Sequence, residues 1–271
     1  MPGRLKMRYF FKHWESLSAE LKKKRVMLFL DYDGTLTPIL ETADKALIPK
    51  ETKKLLYDLS AHVKLAVISG RALSDLKKMV GVRGIIYSGN HGLEIEGAKL
   101  KFSAPLSSAY KNLLSEIKTG LENRLAGFKG VILEDKGFSL SLHYRLVDKD
   151  LLPRVQTIFH EATISPALKN RIKIRPGKRV WEIRPPVEWD KGKIILWLLA
   201  REKFASGDKP LLPIYAGDDT TDEDAFRALE NRGITIFVGR PKKSSAQYYL
   251  NNVGEVTQFL KRILSLQKIK S

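Results

Sequence analysis

The chain has 271 residues, and its 48 lysine and arginine side chains outnumber its 30 aspartate and glutamate side chains, which gives a formal net charge of +18. This length favours two domains, and 43% hydrophobic with 29% charged residues is typical of folded proteins. The absence of cysteine excludes disulfide frameworks, thiolate zinc sites and cysteine nucleophiles, and it favours the reducing cytoplasm. No apolar run approaches the ~18 residues that a membrane span needs, and we find no pattern of an export signal.

The positive charge by itself is compatible with nucleic acid, an anionic membrane surface or an anionic small substrate. It is spread along the chain, since residues 101–180 hold only 15 basic and 7 acidic side chains. No RNA-recognition signature, metal finger or basic zipper occurs in the sequence. We therefore expect a monomer with a small-molecule substrate and no nucleic-acid or membrane partner. A basic nucleic-acid or membrane-surface protein is the remote alternative.

Helical and strand patterns alternate along most of the chain. Residues 7–21 place apolar side chains at helical spacing, and the apolar run at 26–30 predicts a strand buried on both faces. The further predicted helices are 50–61, 71–80, 197–204 and 222–232, and the further predicted strands are 64–69, 84–89, 213–217 and 234–239. Such alternation predicts an α/β protein with a Rossmann-like parallel sheet and helices on both faces.

The regular alternation of predicted helices and strands stops in the middle of the chain. The pattern there predicts, in order, paired strands turning at Asp135 to Gly137, a helix over 150–162, and two more strands turning at Pro176 and Gly177. We therefore predict an inserted smaller α/β domain over residues 98–185. Residues 1–97 and 186–271 would together form the main domain.

Polar side chains follow four of the predicted strands. In chain order they are Asp31 and Asp33 after the first strand, Ser69 after the second, Asn90 and His91 after the third, and Asp218 and Asp219 after the strand at 213–217. In open parallel sheets, ligands collect at the carboxyl ends of the strands. The sequence therefore predicts a functional site at this edge of the sheet.

The acidic members of this set predict a bound metal ion, because carboxylates at short range repel each other unless a cation or a shared proton compensates. Asp218 and Asp222 would face the same side of a helix that begins near Thr220. The other acids of this run are Asp219, Glu223 and Asp224. Acidic helix caps would explain one or two of these five residues but not all. Oxygen ligands, few histidines and no cysteine favour Mg²⁺ over zinc.

Several short motifs carry a resemblance to a known family. "DYDGT", Ser69 in "ISGR", a lysine after the inserted domain and "GDDTTDED" resemble, in this order, the four signatures of haloacid dehalogenase-like phosphatases. "SGNHGLEI", "SLHYR", "KRVWEIRP" and "VEWDKG" are similar to segments of the trehalose-6-phosphate phosphatases in particular. The resemblance implies a haloacid dehalogenase-like core, a cap domain that selects the sugar, and hydrolysis of trehalose 6-phosphate. Nucleotide-binding and serine-hydrolase motifs are missing from the sequence.

The resemblance also implies catalytic roles. Asp31 would attack phosphorus and form an aspartyl phosphate, and Asp33 would act as general acid and then as general base. Lys191 and Ser69 would offset the charge of the phosphoryl group. The implied Mg²⁺ ligands are Asp31, the main-chain carbonyl of Asp33, Asp218 and, through water, Asp222. From the residues alone, Lys191 is better explained as a solvated lysine at a helix start, and Ser69 is equally a helix N-cap.

A further set of residues is predicted to bind the substrate: Gly70, Arg71, Asn90, His91, Arg145, Lys178, Glu182 and Glu223. Lys178 and Glu182 would share one face of a strand, where an ammonium donates to sugar hydroxyls and a carboxylate accepts from them. An ion pair on a solvated face explains these two equally well. Other sugar phosphates remain alternatives with the same chemistry: sucrose 6-phosphate, mannosyl- or glucosyl-3-phosphoglycerate, and glucosylglycerol phosphate.

Overall fold

A computed structural model describes residues 7–39, 46–177, 179–206, 210–240 and 243–269. The chain divides into two compact units. The larger unit consists of Met1–Phe102 with Trp189–Ser271, and the smaller unit consists of Ser103–Glu188. These borders lie a few residues beyond the predicted ones, because the strand Leu100–Ser103 pairs into the sheet of the larger unit.

Strands and helices are numbered in chain order. The strands are β1 (Arg8–Tyr9), β2 (Arg25–Asp31), β3 (Lys64–Ile68), β4 (Ile86–Gly89), β5 (Glu94–Gly97), β6 (Leu100–Ser103), β7 (Ile132–Asp135), β8 (Leu140–His143), β9 (Lys173–Gly177), β10 (Val180–Arg184), β11 (Leu211–Gly217), β12 (Ile234–Val238) and β13 (Tyr248–Leu250). The α-helices are α1 (Trp14–Lys23), α2 (Lys50–Ser60), α3 (Leu73–Val80), α4 (Ser108–Leu125), α5 (Leu152–Leu168), α6 (Lys191–Ser206), α7 (Glu223–Ala228) and α8 (Val253–Lys268). None of the helices in the described part of the chain has the length and apolar character that crossing a membrane requires.

The larger unit is built on one sheet. Among its described residues, nine strands lie in the order β1-β13-β12-β11-β2-β3-β4-β5-β6. Every pair from β1 across to β4 is parallel, and β5 pairs with β4 in the antiparallel sense. Parallel pairs need long crossover connections, which helices commonly supply. This architecture confirms the predicted α/β fold with a Rossmann-like parallel core.

Strand β2 is buried on both faces, as predicted. Leu28 and Leu30 belong to one apolar layer of the larger unit, whereas Met27 and Phe29 belong to the layer on the opposite face. Successive side chains of a strand point to opposite faces, so a strand covered on both sides must be apolar throughout. The polar residue Asp31 can therefore come only where the strand ends.

The N-terminal segment begins as a strand and not as the predicted helix. Arg8 and Tyr9 pair with β13, and α1 starts only at Trp14. The apolar side chains of the predicted pattern still reach the core, since Phe10 and Leu21 are fully buried. Helical spacing therefore identified the buried positions, although the backbone between Arg8 and Trp14 is not α-helical.

The smaller unit contains an antiparallel sheet in the order β7-β8-β10-β9. Helices α4 and α5 pack on one face of this sheet, where Leu140, Leu142 and Ile183 belong to the apolar core. Because side chains alternate along a strand, Glu182 and its cross-strand partner Ser141 lie on the other face. The smaller unit therefore presents one polar sheet face.

The turn between β9 and β10 was predicted too early. Pro176 and Gly177 pair with Trp181 and Val180, so they belong to the ladder and the turn follows them. Arg179 in this turn has a φ of +65°. The predicted Pro-Gly turn was wrong because β9 is an edge strand. An edge strand tolerates proline, since a missing N–H loses no hydrogen bond on the side that has no neighbouring strand.

Candidate active site

The carboxyl ends of three neighbouring strands carry predicted site residues. Asp31 ends β2, Ser69 follows β3, and Asp218 follows β11. Strand β2 lies between β11 and β3, so these three strand ends are adjacent. The residues are 5%, 2% and 9% exposed, respectively. The topology thus gathers three polar groups in a largely buried place at one edge of the sheet.

Three carboxylates converge at this edge. Asp31, Asp218 and Asp222 each offer an oxygen atom, and these atoms all lie within 4.8 Å of one another. Asp222 reaches the strand ends because the chain makes a 3-10 turn from Thr220 to Asp222 soon after β11. Such a group of hard oxygen donors is suited to a divalent cation such as Mg²⁺.

Two glycines leave the space that these carboxylates occupy. A Cβ atom at Gly34 would lie 2.3 Å from the Oδ2 atom of Asp218, and one at Gly217 would lie 2.5 Å from the Oδ2 atom of Asp222. Gly34 also has a φ of +90°, which residues with a side chain rarely adopt. Any larger residue at these two positions would displace a carboxylate of the group.

Lys191 at the start of α6 supplies a positive charge to this group. Its Nζ atom donates to Oδ1 of Asp31 at 2.6 Å and to Oδ1 of Asp222 at 2.7 Å. Lys191 is 3% exposed, so its explanation as a solvated lysine is wrong. Tyr215 of β11, which the sequence motifs do not indicate, donates from its hydroxyl to the same Oδ1 atom of Asp222.

The charged groups at this edge affect one another's pKa values. Burial raises the pKa of Asp31 well above its usual value, and the carboxylates of Asp222 and Asp218 add to this effect while Lys191 opposes it. Burial disfavours the charged form of Lys191, but Asp222 and Asp31 outweigh it and raise the pKa of the ammonium. Three carboxyl groups thus meet a single ammonium at this edge.

The acidic residues that follow β11 have different hydrogen-bond partners. Asp219 accepts from the main-chain N–H of Thr221 at 2.8 Å, and Asp222 in turn accepts from the N–H of Asp219 at 2.9 Å, which forms a capping box. Burial would raise the pKa of Asp219, but Lys191 and the bonds from Thr221 lower it to about 2. Helix capping, the alternative weighed for this run, thus describes Asp219.

The remaining acids of the run bind elsewhere. Glu223, a predicted substrate ligand, accepts from the hydroxyl of Ser244 and from the N–H of Ser245 at 2.8 Å. Asp224 pairs with Arg227 at the surface. Glu223 therefore anchors a neighbouring loop, and only two residues of the acidic run join Asp31.

Asp33 pairs with Arg71 and is not one of the three converging carboxylates. The main-chain carbonyl of Tyr32 accepts from the N–H groups of Leu36 and Thr37 at 2.9 and 3.2 Å, so the chain turns sharply after β2. The Asp33 carboxylate accepts from Nε of Arg71 at 2.7 Å and from its Nη2 at 2.6 Å. Its side chain is 38% exposed, so this second aspartate lies closer to solvent than the first.

Ser69 begins the turn that follows β3. Its hydroxyl accepts from the N–H of Arg71 at 3.2 Å, while the N-cap position of α3 belongs to Ala72. The helix N-cap alternative for Ser69 is therefore wrong. The ring of His91 lies against Gly70, because a Cβ atom there would come 2.3 Å from Nε2 of His91.

Asn90 and His91 adjoin the same turn. Both have left-handed backbones, with φ values of 49° and 53°, and the N–H of Asn90 donates to the carbonyl of Arg71 at 2.7 Å. The side-chain amide of Asn90, 1% exposed, donates to Glu94. The fold thus brings together four predicted substrate residues of the larger unit: Gly70, Arg71, Asn90 and His91.

The other predicted substrate residues belong to the smaller unit. Glu182 lies on the polar sheet face and accepts from Nε of Arg184 at 2.7 Å. It also pairs with Lys136 at 3.4 Å. Glu182 thus forms ion pairs as the alternative expected, but its predicted solvated face is wrong because Glu182 is 6% exposed. Arg145 is exposed, and Lys178 lies outside the described residues.

The polar face of the smaller unit contains further groups that were missed. His143 lies 2.9 Å from the carboxylate of Glu134, and the hydroxyl of Ser139 lies 3.4 Å from Glu182. Side chains alternate between the two faces in the strands on either side of the turn at 135–137, and this pattern could have identified His143, Glu134 and Ser139. Hydrogen-bond donors and acceptors therefore both lie on one sheet face.

Comparison with known proteins gives a consistent result. The profile of a family described as Trehalose-phosphatase matches residues 29–253. The chain is 33% identical over 259 residues to trehalose-phosphate phosphatase B of Arabidopsis thaliana, covering 91% of this chain and 68% of that protein. It also resembles the solved C-terminal domain of trehalose-6-phosphate phosphatase from Candida albicans, with a TM-score of 0.78, 25% identity, and coverage of 97% of this chain and 99% of that one.

A more distant structure shares the fold. A haloacid dehalogenase-like hydrolase from Bacteroides thetaiotaomicron is 16% identical with a TM-score of 0.63, covering 89% of this chain and 100% of that one. The fold, the four ordered motifs and the profile match agree with one another. The chain therefore belongs to the trehalose-phosphatase family, whose members are phosphoric monoester hydrolases with a haloacid dehalogenase-like fold.

Proposed function

We propose that this protein is a Mg²⁺-dependent phosphatase that hydrolyses trehalose 6-phosphate to trehalose and inorganic phosphate. The observation that carries the proposal is the meeting of Asp31, Asp218 and Asp222 with the buried ammonium of Lys191. The names of the Arabidopsis relative and of the Candida structure support the choice of substrate.

The donor set fits a divalent cation. Asp31, Asp218 and Asp222 provide three carboxyl groups against the single ammonium of Lys191. We assign Mg²⁺ to Asp31, Asp218 and the main-chain carbonyl of Asp33, with Asp222 acting through water, because hard oxygen donors suit this ion. When bound, the ion offsets the negative charge of the phosphoryl oxygens.

Asp31 carries the covalent chemistry in this proposal. A carboxylate oxygen of Asp31 bonds to phosphorus while the bond between phosphorus and the sugar oxygen breaks, and Asp33 gives that oxygen a proton. Water then attacks the aspartyl phosphate, Asp33 takes its proton, and phosphate leaves Asp31. Lys191 keeps Asp31 oriented throughout, and Ser69 donates to the phosphoryl group.

Asp33 must change partner before it can act as an acid. Both of its oxygens accept from Arg71, and a carboxylate in such a bidentate pair has no proton to give. The guanidinium group also binds phosphate oxygens well. We propose that the phosphate of the substrate draws Arg71 away, so that Asp33 takes a proton from solvent and then gives it to the sugar oxygen.

We assign selection of the sugar to the smaller unit. Its polar sheet face offers acceptors at Glu182 and Glu134 and donors at Lys136 and Ser139. Sugar hydroxyls both donate and accept, so such a mixed face suits a disaccharide. The predicted ligands Lys178 and Arg145 remain proposals of the same kind.

The substrate is tested by phosphate release from a panel of sugar phosphates, assayed with Mg²⁺ and with a chelator. The panel contains trehalose 6-phosphate, sucrose 6-phosphate, mannosyl- and glucosyl-3-phosphoglycerate, and glucosylglycerol phosphate. We expect the highest kcat/KM for trehalose 6-phosphate and no turnover without the metal. A higher kcat/KM for any other member would overturn the proposed substrate.

The nucleophile is tested by Asp31→Asn, which removes the attacking oxygen and should reduce turnover to background. Asp224→Asn is the matched control, because Asp224 is 42% exposed and pairs with Arg227. We expect the control to retain kcat/KM within about two-fold, as surface substitutions usually do. Turnover by Asp31→Asn at the wild-type rate would exclude the aspartyl-phosphate route.

A further inference from the structure

Tyr215 is a polar side chain inside an otherwise apolar strand. It lies in the middle of β11, opposite Phe29 of β2 and Thr235 of β12, and it is fully buried. Its ring packs edge-on against Phe226 at 5.7 Å between centroids. A phenylalanine would fill this place without a hydroxyl to satisfy, so the hydroxyl needs its own explanation.

The hydroxyl of Tyr215 has a different kind of partner from the hydroxyls of Tyr32, Tyr87 and Tyr110. Tyr32, Tyr87 and Tyr110 also bury most of their surface, and each donates to a main-chain carbonyl: those of Ala46, Val82 and Phe138. Tyr215 donates instead to Oδ1 of Asp222. Hydrogen bonds to a charged acceptor are about twice as strong as neutral ones.

The acceptor atom is the one that also holds Lys191. Oδ1 of Asp222 accepts from Tyr215 and from Nζ of Lys191, and Oδ2 accepts from the N–H of Asp219. Three donors therefore fix the orientation of a carboxylate that is fully buried. They leave Asp222 little freedom to rotate.

The shared acceptor affects how Lys191 is divided between its two partners. The ammonium bonds to Asp31 at 2.6 Å and to Asp222 at 2.7 Å. A second donor on Oδ1 of Asp222 takes up part of the negative charge that attracts the ammonium. Without the hydroxyl, Asp222 would bind Lys191 more strongly and draw it away from Asp31.

We infer that Tyr215 is a positioning residue for Lys191, acting through Asp222 to keep the ammonium shared with Asp31. The inference rests on the proposed function, in which Lys191 orients the nucleophile Asp31. Tyr215 itself touches neither substrate nor the reacting atoms.

The test is Tyr215→Phe, which removes the hydroxyl and keeps the ring. We expect kcat for trehalose 6-phosphate to fall about ten-fold, the scale of a lost hydrogen bond to a charged group, with KM unchanged within about two-fold. A second readout needs no turnover: the ammonium ¹⁵N and ¹H resonances of Lys191 in lysine-labelled protein, assigned by their loss in Lys191→Arg. We expect these resonances to move in Tyr215→Phe.

Tyr87→Phe is the matched control. Its hydroxyl is also buried in the same sheet and bonds to the main chain of Val82 at 2.7 and 3.1 Å. We expect this control to lower the unfolding midpoint while kcat and the Lys191 resonances stay as in the wild type.

The outcomes separate the inference from the proposed function. Wild-type protein that hydrolyses no sugar phosphate would overturn the proposed function, and the Lys191 resonances would then decide on the inference alone. Unmoved resonances in Tyr215→Phe overturn the inference. An unchanged kcat in that variant also overturns it, even if the unfolding midpoint falls.

Discussion

The ammonium group of Lys191 lies between the carboxylates of Asp31 and Asp222 with almost no exposure to solvent. Removing such a charge from water is costly, and only close partners of opposite sign offset that cost. The same holds for the two carboxylates, so the three groups depend on one another. A change to any one of them leaves buried charge without compensation.

We predict that Lys191→Met lowers the free energy of unfolding by about 3 kcal/mol or more, the usual loss when one member of a buried ion pair is removed. The loss should shrink as the pH falls, because burial raises the pKa of Asp31 and Lys191 opposes that rise, so the pKa is higher still in the variant. A carboxyl that binds its proton more tightly in the folded state favours folding at lower pH. Urea unfolding measured at several pH values checks both statements.

Lys193→Met is the control for that experiment. Lys193 lies on the same helix and is 44% exposed, and its Nζ atom lies 3.9 Å from a carboxylate oxygen of Asp190. Its loss should change the free energy of unfolding by no more than about 0.5 kcal/mol. Equal losses in the two variants would contradict the importance given to the buried ammonium.

At the scale of elements, the turn after β2 sets the geometry of the site. It sends Asp33 toward Arg71, and it needs Gly34 with a φ of +90° next to the Asp218 carboxylate. A side chain at Gly34 would therefore carry two penalties. One is the left-handed backbone, and the other is the collision with Asp218.

We predict that Gly34→Ala loses both stability and turnover, and Gly84→Ala separates the two causes. Gly84 has a similar φ of +83°, but a Cβ atom there meets nothing within 4 Å. Both variants should lose about 1–2 kcal/mol of stability from the left-handed backbone. Only Gly34→Ala should also weaken Mg²⁺ binding, measured by calorimetric titration, because Asp218 must move. Unaltered Mg²⁺ affinity in Gly34→Ala would refute this.

These elements also explain what the sequence could predict. Asp31, Ser69 and Asp218 were identifiable because apolar strands end in polar residues and parallel strands end at a common edge. The partners of the acidic residues after β11 could not be predicted, because these residues look alike in sequence. Asp219 caps a turn, Glu223 binds a loop and Asp222 bonds to Lys191.

Other features lacked any local signal. In the sequence, Tyr215 looks like any aromatic residue of a buried strand. Its hydroxyl reaches Asp222 only because the chain turns back after β11. Lys136 was missed because it follows a strand end, where alternation no longer predicts direction. The domain boundary at Ser103 was not predicted, because β6 pairs into the large sheet although it lies within the segment assigned to the inserted domain.

At the scale of the whole molecule, the two units have separate apolar cores. The three converging carboxylates all belong to the larger unit. A cation that binds the folded larger unit stabilises it by mass action, by about 2.7 kcal/mol when its free concentration is 100 times Kd. Its effect should therefore depend on position in the chain.

We predict that Mg²⁺ slows amide hydrogen exchange in β2 and β11 and leaves β8 and β10 unchanged. Mass spectrometry of peptides from these strands, with Mg²⁺ and with a chelator, measures the difference. Asp218→Asn should abolish the protection, whereas Asp224→Asn should retain it. Equal protection of all four strands would be inconsistent with a site confined to the larger unit.

The order of the strands has a consequence for synthesis on the ribosome. β2 lies between β3 and β11, and β11 follows the smaller unit in the chain. Lys191 comes 160 residues after Asp31. Asp31 therefore emerges long before the neighbouring strand β11 and the ammonium of Lys191 exist, although domains usually begin to fold as they appear. The smaller unit, being continuous, is complete first, and the carboxylate of Asp31 is enclosed only after α6 and β11 have emerged.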